Sequence, residues 1–225
     1  MNTRLIKLCF LPCFLTCLFS YGQSESEQIL NHSVSVTSLD LRSKELVGSP
    51  YVNDDFFPAK IKGIETAYPM RYNAYEDEME FEKEGKFYNF NKVLNQEVVF
   101  LATNKKYKLF FDAENNDNSI GYFVVLFQGN KIDLLNKEKI KFFEAVKPKT
   151  GYDKYKPPTL KRVNDKFYIG YKNGTTTELP RKKQDVLKLF SEKSNDIQNY
   201  AKKNRLSFKD KEDLIQLFKY YNTLN

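Results

Sequence analysis

The chain has 225 residues, a formal net charge of +7, one histidine, three cysteines and no tryptophan. A single histidine excludes multi-histidine metal centres, and all three cysteines fall within the first 17 residues, which leaves the remainder without a cysteine site. With 19 Phe and 15 Tyr spread along its length, the chain has the apolar content for a folded core and is not a disordered polymer.

Residues 1–22 read as an export signal. Arg4 and Lys7 form a charged start, Leu8 to Phe19 an apolar run of about 12 residues, and Ser20-Tyr21-Gly22 a small-residue site with cleavage expected before Gln23. The run is shorter than the roughly 20 residues a membrane-spanning helix needs, and no later segment is long and apolar enough to span. Lipidation at Cys17 or Cys13 is the competing reading. The residues before them, Phe14-Leu15-Thr16 and Phe10-Leu11-Pro12, suit it poorly. The expected mature chain is a thiol-free protein of the periplasm, cell surface or medium, held by its core without disulfides.

Charge is divided unevenly. Residues 23–130 carry 11 Lys/Arg against 17 Asp/Glu, and residues 131–225 carry 23 against 12. Either the second half meets an anionic partner or the two halves attract each other within one fold; the second reading is preferred.

Ser33 to Leu41 alternates as an edge strand does. Gly48 to Asp55 reads as a turn-rich loop in which Pro50 and Pro58 limit regular structure. Met70–Tyr75 and Glu78–Lys83 read as paired strands around Glu76-Asp77. Met79 and Phe81 face inward, and Glu78, Glu80, Glu82 and Glu84 form one solvated face. Gly85–Phe90, Val98–Leu101 and Tyr107–Phe111 continue the pattern. Ile120–Phe127 is apolar on both faces, as a covered central strand should be, with Phe123, Val125 and Phe127 on one of them. Lys131–Leu135 and Ile140–Ala145 follow. Lys147–Pro158 reads as a long connection, then Thr159–Val163, Lys166–Tyr171 and Thr175–Leu179 as strands, the last pair joined by the hairpin signal Asn173-Gly174.

After Pro180 the apolar period changes from two to 3.6, with Val186, Leu189 and Phe190, then Ile197, Tyr200 and Ala201, then Leu214, Leu217, Phe218 and Tyr221. Ser194 is an expected N-cap, and Ser207 with Asp210 resembles a capping box. The fold class expected is α+β: a mostly antiparallel sheet, sandwich-like or open barrel, over 23–179, and two or three amphipathic helices over 180–225, as one domain.

Chemical motifs are mainly missing. There is no G-x-S-x-G elbow and no glycine-rich phosphate loop, and His32 reads as an ordinary surface residue. The loop from Asp112 to Asp117 fails the EF-hand pattern, because its sixth and twelfth positions hold Asp117 and Phe123. No metal or cofactor is expected. Neighbouring glutamates of the Glu78–Glu84 face would lie about 7 Å apart, a spacing compatible with glycoside hydrolysis, although a water-exposed stripe does not raise a carboxyl pKa.

The basic stretch with Lys147, Lys149, Lys154, Lys156, Lys161 and Arg162, interleaved with Tyr152 and Tyr155, is the best binding candidate. Its bland reading is a solvated loop whose tyrosines pack on the sheet. Export disfavours nucleic acid and points to an envelope protein, an acidic glycan or a lipid. The candidate contact residues are Tyr51, Asn53, Arg71, Asn73, Lys149, Tyr152, Lys154, Tyr155 and Lys156.

Two stretches resemble small exported proteins of the Bacteroidetes envelope. In these a "GSPY-N" loop, here Gly48-Ser49-Pro50-Tyr51-Val52-Asn53, precedes an "RYN-Y-DE-EF" hairpin, here Arg71-Tyr72-Asn73-Ala74-Tyr75-Glu76-Asp77-Glu78-Met79-Glu80-Phe81. The tail ending near Asp213–Asn222 is similar too. The resemblance implies an envelope or secreted location and carries no catalytic residue. Arg71, Asn73 and Asp77 match its polar hairpin positions, where Arg71 is expected to pair with Asp77 or the glutamate stripe and pin the hairpin. The function expected is that of a non-enzymatic binding protein; a carboxylate hydrolase acting on envelope glycan and a carrier of an apolar ligand are the alternatives.

Overall fold

A computed structural model describes residues 45–112, 119–150 and 152–225. The export signal, His32, the strand expected at Ser33–Leu41 and most of the Asp112–Asp117 loop lie outside the described residues. The fold is α+β: a ten-stranded antiparallel open sheet followed by three C-terminal helices.

Strands β1 (Phe57–Ile61), β2 (Ala67–Asn73), β3 (Glu78–Lys83) and β4 (Lys86–Asn89) form a meander. β5 (Glu97–Phe100) pairs with the free side of β1. From there β6 (Lys105–Phe111), β7 (Ile120–Phe127) and β8 (Ile132–Lys137) extend the sheet in the other direction. The chain then leaves to form a separate two-stranded sheet, β9 (Ile140–Phe143) with β10 (Thr159–Arg162). It returns as β11 (Lys166–Tyr171) beside β8, with β12 (Thr176–Glu178) at the edge, so the order is β12-β11-β8-β7-β6-β5-β1-β2-β3-β4.

β1 departs from the expectation of an irregular loop around Pro58. Pro58 stands opposite Pro69 of β2 and turns its carbonyl toward β5, where Leu101 N donates to it over 2.9 Å. A residue's N–H and C=O leave a strand on the same side, so neither proline is asked to donate to the other. β6 starts two residues earlier than expected, because Lys105 already pairs with Phe100.

β7 is covered on both faces. Tyr122 and Val124 face a core built with Ile61, Met70, Met79 and Phe81; Phe123 faces a smaller core with Phe110, Leu135 and Tyr168. A register shift between Val125 and Phe127 moves Phe127 to the helix-facing core beside Leu126, which corrects its assignment to the face of Phe123.

The smaller core is enclosed because the sheet curls. Phe111 N donates to Gly174 O in the Asn173-Gly174 turn (2.8 Å), and Thr176 Oγ1 donates to Phe111 O (2.8 Å). Gly174 has φ +85, which a glycine adopts freely.

Helices α1 (Lys183–Leu189), α2 (Ser194–Asn204) and α3 (Lys211–Thr223) cover the other face of β7, β8 and β11 with Val186, Phe190, Ile197, Leu214, Leu217 and Phe218. The caps differ from expectation. Ser194 is the first residue of α2, preceded by a 3₁₀ turn at Ser191–Lys193, and no side chain caps that end. Asp210 caps α3 by accepting from Glu212 N and Asp213 N, while Ser207 N donates to Asp213. Asn222 ties α3 to β8: its Oδ1 accepts from Lys131 N (2.8 Å) and its Nδ2 donates to Ile132 O (3.2 Å).

Gly170 marks the tightest point of the curl, since a Cβ there would lie 2.7 Å from Leu135 Cδ1 and 2.9 Å from the Phe110 ring. Gly170→Ala is expected to destabilise the protein by about 1–3 kcal/mol through overpacking, read as a lower urea midpoint at unchanged slope.

Candidate functional site

The nine candidate residues fall into two places. Tyr51, Asn53, Arg71 and Asn73 gather where the loop before β1 lies over the β2–β3 hairpin. Lys149, Tyr152, Lys154, Tyr155 and Lys156 lie on an arm between β9 and β10.

The first group is built on contacts between the two quoted sequence stretches. Gly48, at φ +90, has no room for a side chain: a Cβ would sit 2.1 Å from Leu160 O. Pro50 O accepts from Ala74 N (2.9 Å), and Val52 N donates to Tyr72 O (3.1 Å). Arg71 and Glu80 stand directly opposite on β2 and β3. Arg71 Nε and Nη2 each lie 2.9 Å from Glu80 Oε2, Nη2 also donates to Tyr51 Oη (2.7 Å), and Nη1 donates to Asp54 O (3.1 Å). The guanidinium lies 3.6 Å from the Tyr51 ring centroid and 4.3 Å from that of Phe56. Burial, then the Glu80 carboxylate, push the Tyr51 hydroxyl up to about 12.

Glu80 therefore does not belong to a solvated stripe. It is 2% exposed, because the Tyr51 loop covers the face that alternation assigned to water. Glu84 lies beyond the end of β3 with φ +54, and Glu78 is half-buried 3.0 Å from Lys92 Nζ. Asn73 is buried; its Oδ1 accepts from Tyr75 N and Glu76 N, shaping the hairpin turn. Arg71 and Asn73 thus hold the scaffold. Asp77 is taken instead by Tyr72 Oη (2.6 Å) and Lys137 Nζ (2.9 Å).

Beside this lock opens a cavity of about 280 Å³. Tyr72, Phe100 and Tyr107 line its base, Phe57 one side, and Asn53 its rim. Its far wall is Glu138, which is 5% exposed and saturated by four contacts: Lys105 Nζ to both oxygens (2.9 and 2.7 Å), Tyr107 Oη to Oε2 (2.6 Å) and Arg162 Nη2 to Oε1 (2.8 Å). Burial first, and Glu138 second, raise the Tyr107 pKa well above its ordinary value. Burial works to lower the Arg162 pKa, but Asp165 and Glu138 raise it on balance. Of this wall, sequence reasoning singled out only Arg162, as part of a basic stretch. Lys105 and Tyr107 on β6, Glu138 after β8 and Arg162 at the end of β10 come from three separated segments, and no local spacing announces their convergence.

The arm is a hairpin extension of β9 and β10. Val146 and Lys156 exchange backbone hydrogen bonds of 2.9 and 3.0 Å, and Asp153 accepts from Thr150 N and Oγ1 (both 3.0 Å) near the tip. Its tyrosines do not pack on the sheet, contrary to the bland expectation: Tyr152 is fully exposed, and Tyr155 is half-exposed with its hydroxyl on Glu45 (3.1 Å). Lys141 and Lys161 stand directly opposite on the outer face of the stem, an arrangement of like charges that costs stability. Among the described residues, no ion pair engages either of them or Lys147, Lys149, Lys154 or Lys156.

Among the described residues, no cluster of three or more His, Cys, Asp or Glu is placed to hold a metal ion, and no helix is long and apolar enough to cross a membrane. No family model, curated protein or solved structure matches the chain.

Two outcomes follow from the buried ionisable groups. Tyr72, Tyr107 and Tyr122 are each held well above the ordinary tyrosine pKa, foremost by burial. Their contribution to stability is complete below the unfolded value of about 10 and is lost as pH rises past it, because the unfolded chain then releases protons that the folded chain keeps. An absorbance titration at 295 nm should show Tyr72, Tyr107 and Tyr122 ionising only as circular dichroism reports unfolding. Glu80→Gln leaves the Arg71 charge without its counter-ion in a site where Arg71 is only 16% exposed, and should cost about 3 kcal/mol in urea denaturation.

Proposed function

We propose that this is an exported, non-enzymatic binding protein whose basic arm attaches it to an acidic glycan of the cell envelope. The observation that carries this reading is the arm itself. A row of lysines that find no carboxylate partner among the described residues surrounds a fully exposed Tyr152 on a hairpin. Stability alone does not favour opposed lysines or a solvated aromatic ring, whereas a polyanion neutralises the former and stacks on the latter. Lysines give the long-range attraction and the tyrosines short-range contact with the apolar faces of sugar rings.

The hydrolase alternative receives less support. A glycoside hydrolase needs one carboxyl free to act as an acid and another as base or nucleophile. Glu80 and Glu138 are each bound by fixed cations and tyrosine hydroxyls, and Glu78 by Lys92. Such pairing occupies the lone pairs that catalysis would use, and although burial raises the Glu78 pKa, its carboxylate is held by Lys92.

The test is retention on immobilised polygalacturonate beside a neutral polysaccharide. The wild-type protein should bind the acidic matrix and elute with rising salt, since exposed charges are screened over a Debye length of about 8 Å near physiological ionic strength. The triple variant Lys149→Glu/Lys154→Glu/Lys156→Glu should lose at least about tenfold in affinity, equal to about 1.4 kcal/mol, with unchanged thermal unfolding. Retention equal to wild type would reject the arm as the contact surface.

A further inference from the structure

We infer that the 280 Å³ cavity at the foot of the arm is a binding site for one neutral sugar ring, a pyranose held by its hydroxyls over an aromatic base. The inference does not rest on the arm, which contributes other residues and a different kind of attraction.

Size sets the first limit. At about 30 Å³ per water in the liquid, 280 Å³ corresponds to roughly nine waters. That is room for a single substituted six-membered ring. The lower end of ordinary ligand sites is about 300 Å³.

Charge sets the second. Each ion lining the inner wall is already neutralised: Arg71 by Glu80, and Lys105 and Arg162 by Glu138 and Asp165. An anionic ligand would have to compete with Glu138 for Lys105 and Arg162. A cationic ligand would find every lone-pair region of Glu138 occupied and would meet only the solvent-exposed Asp55 at the rim. A neutral ligand leaves the network intact.

Hydrogen-bonding capacity sets the third. Two of the three Lys105 ammonium protons point to Glu138, and the bonds made by Arg162 use its Nε and Nη2. Among the described residues, one ammonium proton and the Nη1 group are left as donors on this wall. The opposite rim carries Asn53 and Asp55, both exposed, as acceptors. A ligand that spans the cavity must accept on one side and donate on the other. A hydroxyl does both, and a ring bearing several hydroxyls does so in several directions while offering an apolar C–H face to Phe57, Tyr72 and Tyr107. A purely apolar ring would leave the charge-assisted donors without partners, which is unfavourable in a partly enclosed site.

The test uses the full chain and free methyl glycosides of glucose, galactose and mannose as probes, read by saturation-transfer NMR and by perturbation of amide signals. The expected result is transfer to the ring protons of at least one of them, with a dissociation constant on the order of 1–10 mM, and shifts centred on Tyr72, Lys105 and Tyr107. Phe57 and Arg162 are both substantially exposed, so Phe57→Ala and Arg162→Gln should keep the fold, as checked by thermal unfolding. Each should weaken binding at least about fivefold. Glucuronate and cyclohexanol separate the rival chemistries. Stronger binding of glucuronate than of methyl glucoside would mean an anion site, and equal or stronger binding of cyclohexanol would mean a plain apolar pocket; either overturns the inference. So does the absence of transfer to every glycoside, or binding that both variants leave unchanged. Loss of polygalacturonate retention in the arm variant alongside intact glycoside binding would separate the two sites.

Discussion

The ion pair between Arg71 and Glu80 is the constraint around which this end of the molecule is arranged. A carboxylate buried to 2% exposure is tolerated only with a counter-ion and filled lone pairs. Glu80 has both, because Arg71 stands directly across the β2–β3 ladder and Tyr51 closes over the pair. Two strand residues alone would leave the pair open to water. The loop before β1 has to fold back to cover it, and the backbone of that loop bonds to Tyr72, Ala74 and Tyr75 of the hairpin. Covering Glu80 therefore fixes the entry into β1 and, with it, Asn53 on the rim and Phe57 on the side of the cavity. Gly48 anchors the far end of the same loop, since only a residue without Cβ can lie against the Leu160 carbonyl.

Buried ions repeat this logic across greater sequence distances. Lys137 joins β8 to Asp77 in the β2–β3 turn and to Asp112 after β6. Glu138, the next residue, gathers Lys105 from β6 and Arg162 from β10. Of these contacts those of Lys137 join the basic second part of the chain to acids of the first, whereas Lys105–Glu138 runs the other way and Arg162–Glu138 lies within the second part. The pairing is selective. It uses the charges near β8 and leaves the lysines of the arm outside it, so internal attraction accounts for only a share of the basic excess.

How far the sequence announced this depends on the range of the interaction concerned. β3, β7 and β11 have the bounds that alternation and turn signals suggest, because strand period and hairpin geometry are local properties. The C-terminal helices are legible for the same reason. β1 was hidden by Pro58, whose tolerance depends on which neighbour its carbonyl faces, a matter of pairing rather than of composition. Glu80 was misread because alternation tells which side chains share a face and not what later covers it. Ser194 looked like a cap until the preceding 3₁₀ turn, a tertiary adjustment, filled that position. Of the site, Arg71 could be assigned a structural role from its place opposite the glutamates. The wall of Lys105, Tyr107, Glu138 and Arg162 could not, since it exists only where β6, the end of β8 and β10 converge.

The β9–β10 stem links the two surfaces. Its inward residues, Ile140 and Leu160, are buried in the main core, and the rung between them sets Lys141 against Lys161 on the exposed face. Arg162, paired with Ile140 on the last rung, reaches the cavity wall. One rung therefore carries the inner site and the adjacent rung the opposed lysines, with the Phe142–Leu160 and Phe143–Thr159 rungs between these and the arm. The stem does not belong to the ten-stranded sheet, so its position is set by the burial of Ile140 and Leu160, the bridge from Val47 to Thr159, and the Arg162–Glu138 contact. Of these the ionic contact is the most exposed on its Arg162 side. A displacement of the arm that strained it would act on the cavity wall before it disturbed the core.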